Sequence, residues 1–278
     1  MIRVGIGGWT YEPWRGTFYP AGLKHADELA YASQRLTTIE INGTFYRSQS
    51  PASFKKWREE TPDDFVFSVK GHRAVVNNRK LAEASEPIAW FFRSGLVGLG
   101  EKLGPILWQF APFKKFDLED FRSFLTLLPR EAGGRPLSHV VEVRHQSFLV
   151  PEFVALLREH NVAVTFADSD EYPAIADVTA DFVYARLQRT KEENETGYAA
   201  ADINRWAQRA RLWEVGGAPE DLPRIDSSAA PKVERPVFIY MISGAKVRAP
   251  AAAMALIERV KPSPGALRAP TSPAERER

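Results

Sequence analysis

The residues best suited to chemistry in this chain stand where apolar runs stop. In Thr38-Ile39-Glu40-Ile41-Asn42 apolar and polar positions alternate, so Glu40 and Asn42 share one face of a short strand. A carboxylate and an amide inside a strand are costly unless paired, solvated or used. Similar runs end at Lys70 and His72, at Gln109, at Glu142 with Arg144 and His145, at Asp168, and at Arg186 with Gln188. Glu142 beside a cation reads as a general acid or base, because burial and a neighbouring charge move its pKa in opposite directions. Lys70 reads as an electrostatic clamp or, if desolvated, as a nucleophile toward a carbonyl. Arg144 and Arg186 suit bidentate contact with a carboxylate or phosphate. Glu142, Lys70, Arg144 and His145 form the candidate catalytic set. Glu40, Asn42, His72, Gln109, Asp168, Arg186 and Gln188 are the candidate substrate contacts. Structural ion pairs such as Glu142–Arg144 or Glu40–Arg186, plugging the interior, are the competing explanation.

The elements that must position these groups alternate. Strands are expected at Ile2–Ile6, from Thr38, and at Phe65–Lys70, Pro105–Phe110, Val140–His145, Val162–Asp168, Phe182–Leu187 and Pro236–Ile242. Helical spacing is expected over Asp27–Arg35, Pro51–Glu60, Glu83–Leu99, Leu118–Leu128, Pro151–His160, Asp202–Val215 and Ala251–Val260. Such alternation predicts an α/β protein: a TIM-barrel-like (β/α)8 parallel barrel in one domain, residues 1–261. A loop insertion is expected near 216–235 and a disordered tail over 262–278. In that architecture every strand delivers its C-terminal end to one face. Trp9 and Tyr11, soonest after the first strand, and Tyr46 are expected as aromatic walls for a ligand. Trp14, Phe18 and Tyr19 are expected to pack.

Composition narrows the functions. The 278 residues carry 37 basic and 35 acidic side chains, a net charge of +2 that creates no global field demanding nucleic acid or membrane. The absence of cysteine removes disulfides, thiolate metal sites and a Cys nucleophile. The start of the chain enters a strand pattern directly and no apolar run is long enough to span a bilayer, so a cytoplasmic protein without membrane association is expected. No dinucleotide glycine fingerprint, phosphate loop, His-Glu-x-x-His or Gly-x-Ser-x-Gly motif occurs, so no nucleotide cofactor is indicated. A single divalent cation on Glu40, Glu142, Asp168 and His145 stays open, whereas few His candidates argue against a multi-metal site.

The motif Glu40-Ile41-Asn42-Gly43-Thr44-Phe45-Tyr46 resembles the most recognisable signature of the YecE-like family, catalogued as domain of unknown function 72. The opening Ile6-Gly7-Gly8-Trp9-Thr10-Tyr11, then Trp14-Arg15-Gly16 and Phe18-Tyr19-Pro20, resembles that family's start. Phe67–Lys70, Leu103–Phe110, Glu142–His145, Ala167–Ser169, Phe182–Leu187 and Gly197-Tyr198 before the Trp206 helix follow in its order. The resemblance covers about residues 2 to 260 and implies a TIM-barrel-like fold, with Tyr198 added to the candidate contacts. It implies no reaction. The chain departs from the family pattern at Gly43, at Gln188-Arg189 and at Met241–Lys246, so the strand-seven and strand-eight corner is rebuilt.

Three functions are carried forward. The first is an enzyme, of hydrolase, lyase or isomerase type, acting on a small anionic or sugar-like molecule by acid/base chemistry. The second is a nucleic-acid or nucleotide protein, using Trp14-Arg15, Tyr46-Arg47 and His72-Arg73 to stack bases and contact phosphate. The third is a non-catalytic binding protein or scaffold. Oligomeric state is not readable from these residues.

Overall fold

The computed structural model describes residues 1–228 and 230–261. Eight parallel strands close into a barrel in which each strand pairs with those before and after it in the chain. They are β1 (Ile2–Gly7), β2 (Thr38–Ile41), β3 (Val66–Lys70), β4 (Leu103–Gln109), β5 (His139–Glu142), β6 (Ala163–Asp168), β7 (Val183–Leu187) and β8 (Val237–Met241). The barrel closes where β8 pairs with β1, from Ile2 opposite Val237 to Ile6 opposite Met241. Around it run α1 (Glu28–Ser33), α2 (Pro51–Glu59), α3 (Arg73–Val76), α4 (Ser85–Arg93), α5 (Leu118–Leu127), α6 (Pro151–Glu159), α7 (Ala200–Glu214) and α8 (Ala249–Val260). The β6–β7 crossover differs from the rest, because residues 169–182 contain neither helix nor strand.

Side-chain alternation sorts each strand into two surfaces. Ile39 and Ile41, Phe67 and Val69, Ile106 and Trp108, Val164 and Phe166, and Ile239 and Met241 face outward into the layer shared with the helices. Leu107, Val140, Ala163, Tyr184, Phe238 and Tyr240 form a separate buried cluster that fills the lower barrel. Leu107, Val140 and Phe238 each contribute about 1.5–3 kcal/mol by leaving water. Two residues further along β2, β3, β4, β5 and β7, the same inward face becomes Glu40, Lys70, Gln109, Glu142 and Arg186, all buried. The pleat that packs the floor therefore also stacks five polar groups above it.

The helix expected over Glu83–Leu99 is shorter than its apolar pattern. The α-helix ends at Arg93, and 3-10 turns run from Leu96 to Lys102. Gly95, at φ +93°, breaks it, and a Cβ there would lie 2.6 Å from Pro51 Cγ of α2, so close helix packing outweighs continuation. Strand β5 ends at Glu142, three residues before its expected end, which leaves Arg144 and His145 on the following loop. Among the described residues of 216–236 there is no helix or strand. This segment is pinned where Asp177 accepts from the backbone N–H of Ile225 (2.7 Å) and Asp226 (2.9 Å). The expectation for residues 262–278 falls outside the described residues. No helix among the described residues is long and apolar enough to cross a membrane.

Candidate active site

The polar layer is one connected network. Arg186 on β7 lies between two carboxylates: its Nε and Nη2 donate to Glu40 at 3.1 Å each, and its Nη1 donates to Glu142 Oε2. Tyr184, two residues earlier on the same strand, donates its hydroxyl to Glu40 Oε2 at 2.7 Å. Glu142 Oε1 accepts from Gln109 Nε2 at 2.7 Å and from Arg144 Nε at 2.8 Å. Burial alone would raise the Glu142 carboxyl, but Arg186 and Arg144 outweigh it and hold its pKa at about 2. The guanidinium of Arg186 is likewise held protonated, the two carboxylates outweighing its desolvation.

Lys70 stands apart in this network. Because Glu142 can only accept, Gln109 must turn its amide nitrogen toward it, which leaves Gln109 Oε1 to accept from Lys70 Nζ at 2.7 Å. The ammonium also lies over the Phe45 ring, 4.2 Å from the centroid. No carboxylate among the described residues forms an ion pair with it, since Glu40 and Glu142 are engaged by Arg186 and Arg144. Desolvation, helped by the positive charge of Arg186, brings its pKa down to about 8, against the weaker pull of Glu40 and Glu142.

Above this floor opens a cavity of about 1030 Å3 at the C-terminal ends of the strands. Trp9, Asn42, Tyr46, Lys70, Gln109, Arg144, Arg186 and Gln188 line it. Glu40 and Glu142 lie beneath, reaching it only through the groups they hold. Sequence reasoning missed much of the rim. Trp57 of α2 enters the wall and packs edge-on against Trp9 at 5.1 Å between centroids. Tyr172, from the helix-free crossover, places its ring 4.2 Å from the Arg144 guanidinium. Arg47, expected above as a phosphate contact, and Lys246, just past β8, add positive charge, with Lys246 Nζ 4.4 Å from the centroid of the Tyr11 ring, whereas Arg189 is paired with Asp168 and Asp170. Trp57 depends on how α2 packs against the barrel and the others on loop paths, for which the sequence carries no periodic signal.

Five expected site residues lie elsewhere. His145, expected in the catalytic set, accepts from the backbone N–H of Ser147 at 3.0 Å and caps a 3-10 turn. His72 caps α3 by accepting from Ala74 N–H at 3.1 Å and packs against Trp90. Tyr11 packs edge-on against Trp14 rather than lining the cavity. Asp168 shares the outward parity of Val164 and Phe166, so it faces a neighbouring cavity of about 500 Å3 beside α7, together with Tyr198. There it pairs with Arg189 at 3.2 Å, and Tyr198 donates to it at 3.4 Å. The four cation ligands considered from sequence thus do not converge, and among the described residues no group of three His, Cys, Asp or Glu side chains could hold a metal ion.

A closed parallel barrel whose strand ends gather charged groups beneath an open mouth defines the class: a TIM-barrel-like protein with a polar C-terminal face. Residues 3–277 match the family model described as protein of unknown function DUF72, and the chain belongs to that family. It is 25% identical over 158 residues to the UPF0759 protein YunF of Bacillus subtilis, covering 55% of this chain and 54% of that protein. It is 28% identical over 149 residues to the UPF0759 protein YecE of Escherichia coli K12, covering 53% and 50%. The chain therefore spans about half the length of these relatives. The crystal structure of a DUF72 family protein from Thermotoga maritima superposes with a TM-score of 0.72, at 21% identity, over 94% of this chain and 100% of that one. That likeness concerns the fold.

Proposed function

We propose that this protein is an enzyme acting on a small anionic molecule bound at the barrel mouth, with Lys70 as the group that changes protonation during the reaction. The observation that carries the reading is Lys70 itself: a buried amine on the cavity floor, bonded to an amide and contacting no carboxylate among the described residues. An ammonium so placed gains its missing counter-charge when an anion enters, and an amine of pKa about 8 can exchange a proton near neutral pH. Arg144, Arg47 and Lys246 supply further positive charge along the same wall, and Trp9, Tyr46 and Trp57 supply flat apolar surface for the substrate's body.

This reading reassigns Glu142. A carboxylate held at about 2 by two arginines is a poor acid or base at neutral pH, so its role is to orient Arg186, Arg144 and Gln109. The ion pairs first weighed as a plug become the floor on which Lys70 stands.

A thermal-shift screen of wild type and Lys70→Met tests the proposal, with di- and tricarboxylates, sugar acids, sugar phosphates, nucleotides, short oligonucleotides and divalent cations. A ligand at a hundredfold excess over its Kd stabilises the fold by about 2.7 kcal/mol. Stabilisation by one class of small anion, lost in the variant, is the expected outcome. No response to any small anion would refute it, and a salt-sensitive response to oligonucleotides alone would favour the nucleic-acid alternative.

A further inference from the structure

We propose that Lys70 Nζ is a nucleophile that forms an imine with an aldehyde or ketone group carried on the small anionic substrate. The inference rests on the anionic-substrate reading above and deepens it by naming the electrophile.

Four features of the floor argue for covalent chemistry rather than a simple clamp. The amine is buried yet lines the cavity, so a bound ligand reaches it more readily than bulk water does. Its hydrogen-bond partner is a neutral amide whose orientation Glu142 enforces, and an amide oxygen accepts from an amine and an ammonium alike. The charged and titratable groups around it are Glu40 from β2, Glu142 from β5, Arg144 from the loop after β5 and Arg186 from β7. Both carboxylates are bound by arginine, so neither locks Lys70 into a close ion pair that would quench its lone pair. Finally, the Phe45 ring covers the nitrogen with a face that accommodates a cation, and an iminium is a cation.

The step balances without an external oxidant or reductant. The lone pair of neutral Lys70 attacks the carbonyl carbon, and the C–N bond forms as the C–O π pair moves to oxygen. Oxygen takes up one proton as nitrogen releases one through solvent, giving a carbinolamine. The nitrogen pair then expels that hydroxyl, which leaves as water with a further proton, and the charge ends on the iminium nitrogen. The iminium draws electrons from the adjacent carbon, so a C–H or C–C bond there becomes weak. Arg144, which packs on Tyr172 at the rim, is placed to retain the anionic end while that bond changes.

The test is reductive trapping with sodium cyanoborohydride of wild type and Lys70→Arg, using pyruvate, glyoxylate and glyceraldehyde 3-phosphate, read by intact mass and peptide mapping. Circular dichroism and a melting curve establish that the variant folds, and Lys55→Arg, at an exposed lysine of α2 outside the cavity, serves as a lysine control. The expected result is one adduct on Lys70 with at least one probe, at a yield that rises from pH 7 to pH 9, retained in Lys55→Arg and lost in Lys70→Arg. Adducts scattered over surface lysines and unchanged in Lys70→Arg would overturn the imine. If small anions without a carbonyl still stabilise wild type through Lys70 while no probe is trapped there, the imine fails and the anion site stands. If no anion binds and nothing is trapped, both fail.

Discussion

Replacing Lys70 by methionine removes a charge while keeping most of the side-chain volume, and the burial of the amine sets the sign of the effect. Burial and Arg186 bring the Lys70 ammonium from its ordinary value of 10.5 to about 8. At about 1.4 kcal/mol per pH unit, keeping it charged in the folded state costs roughly 3 kcal/mol. The unfolded chain binds more protons than the folded one between these values, so the wild type gains stability as pH rises through that window and lacks it below pH 8. Methionine escapes the cost but loses the Gln109 hydrogen bond and the contact of the charge with Phe45, together roughly 1–2 kcal/mol. Lys70→Met should therefore be about 1–2 kcal/mol more stable than wild type near pH 7 and less stable by a similar amount near pH 10.5. Urea unfolding of both proteins across this range reads the difference directly, and titrations common to both cancel. A difference that stays constant with pH, or runs in the opposite direction, would show that Glu40 and Glu142 hold Lys70 as an ordinary ammonium.

Three further outcomes follow from the same geometry. Glu142→Gln leaves Arg186 and Arg144 without a shared carboxylate and should cost about 3–5 kcal/mol at pH 7; because the folded carboxyl sits at about 2, the deficit should shrink as pH falls below the ordinary value of 4.5, as equilibrium unfolding would show. His139 is buried, accepts from Trp108 Nε1 at 3.1 Å and hydrogen-bonds Pro129 O at 2.7 Å, so it is neutral with Nε2 protonated, and burial lowers its pKa to about 4. The wild type should then lose up to about 3 kcal/mol between pH 6.5 and pH 4 through this group, and His139→Gln, which can keep both hydrogen bonds, should lose less over that range in urea titrations. Gly5→Ala would drive a Cβ to 1.8 Å from Thr38 O at the β1–β2 seam, and its melting temperature should fall well below that of wild type, or the protein should fail to accumulate folded.

The polar layer was legible because it obeys the period of a strand. Glu40, Lys70, Gln109, Glu142 and Arg186 end apolar runs at inward positions, and Asn42, Arg144 and Gln188 continue the same parity into the cavity wall. The same rule, applied to β6, would have put Asp168 on the outer face with Phe166; reading only that the strand ended in a carboxylate lost that information. His72 and His145 misled for a different reason. Both lie past the last paired residue, where the pleat no longer dictates direction, and an imidazole there satisfies the open N–H groups of a short helix. Trp57 and Tyr172 reach the rim through a helix and a loop, so only the folded chain brings them in. Roles are less legible than places: a strand-end position suggests an acid or base for Glu142, but both of its oxygens are taken by arginine and glutamine.

An anion entering the barrel mouth should meet the Lys70 amine. Isothermal titration at pH 8 in buffers of different ionisation enthalpy tests it most directly, using the tightest carbonyl-free anion from the thermal-shift panel. Lys70, with a pKa of about 8, is about half protonated there, and a bound anion should draw it toward full protonation. Wild type should take up about half a proton per anion bound, and Lys70→Met none, while also binding more weakly. Binding with no proton uptake, or with the same affinity and uptake in both proteins, would contradict it.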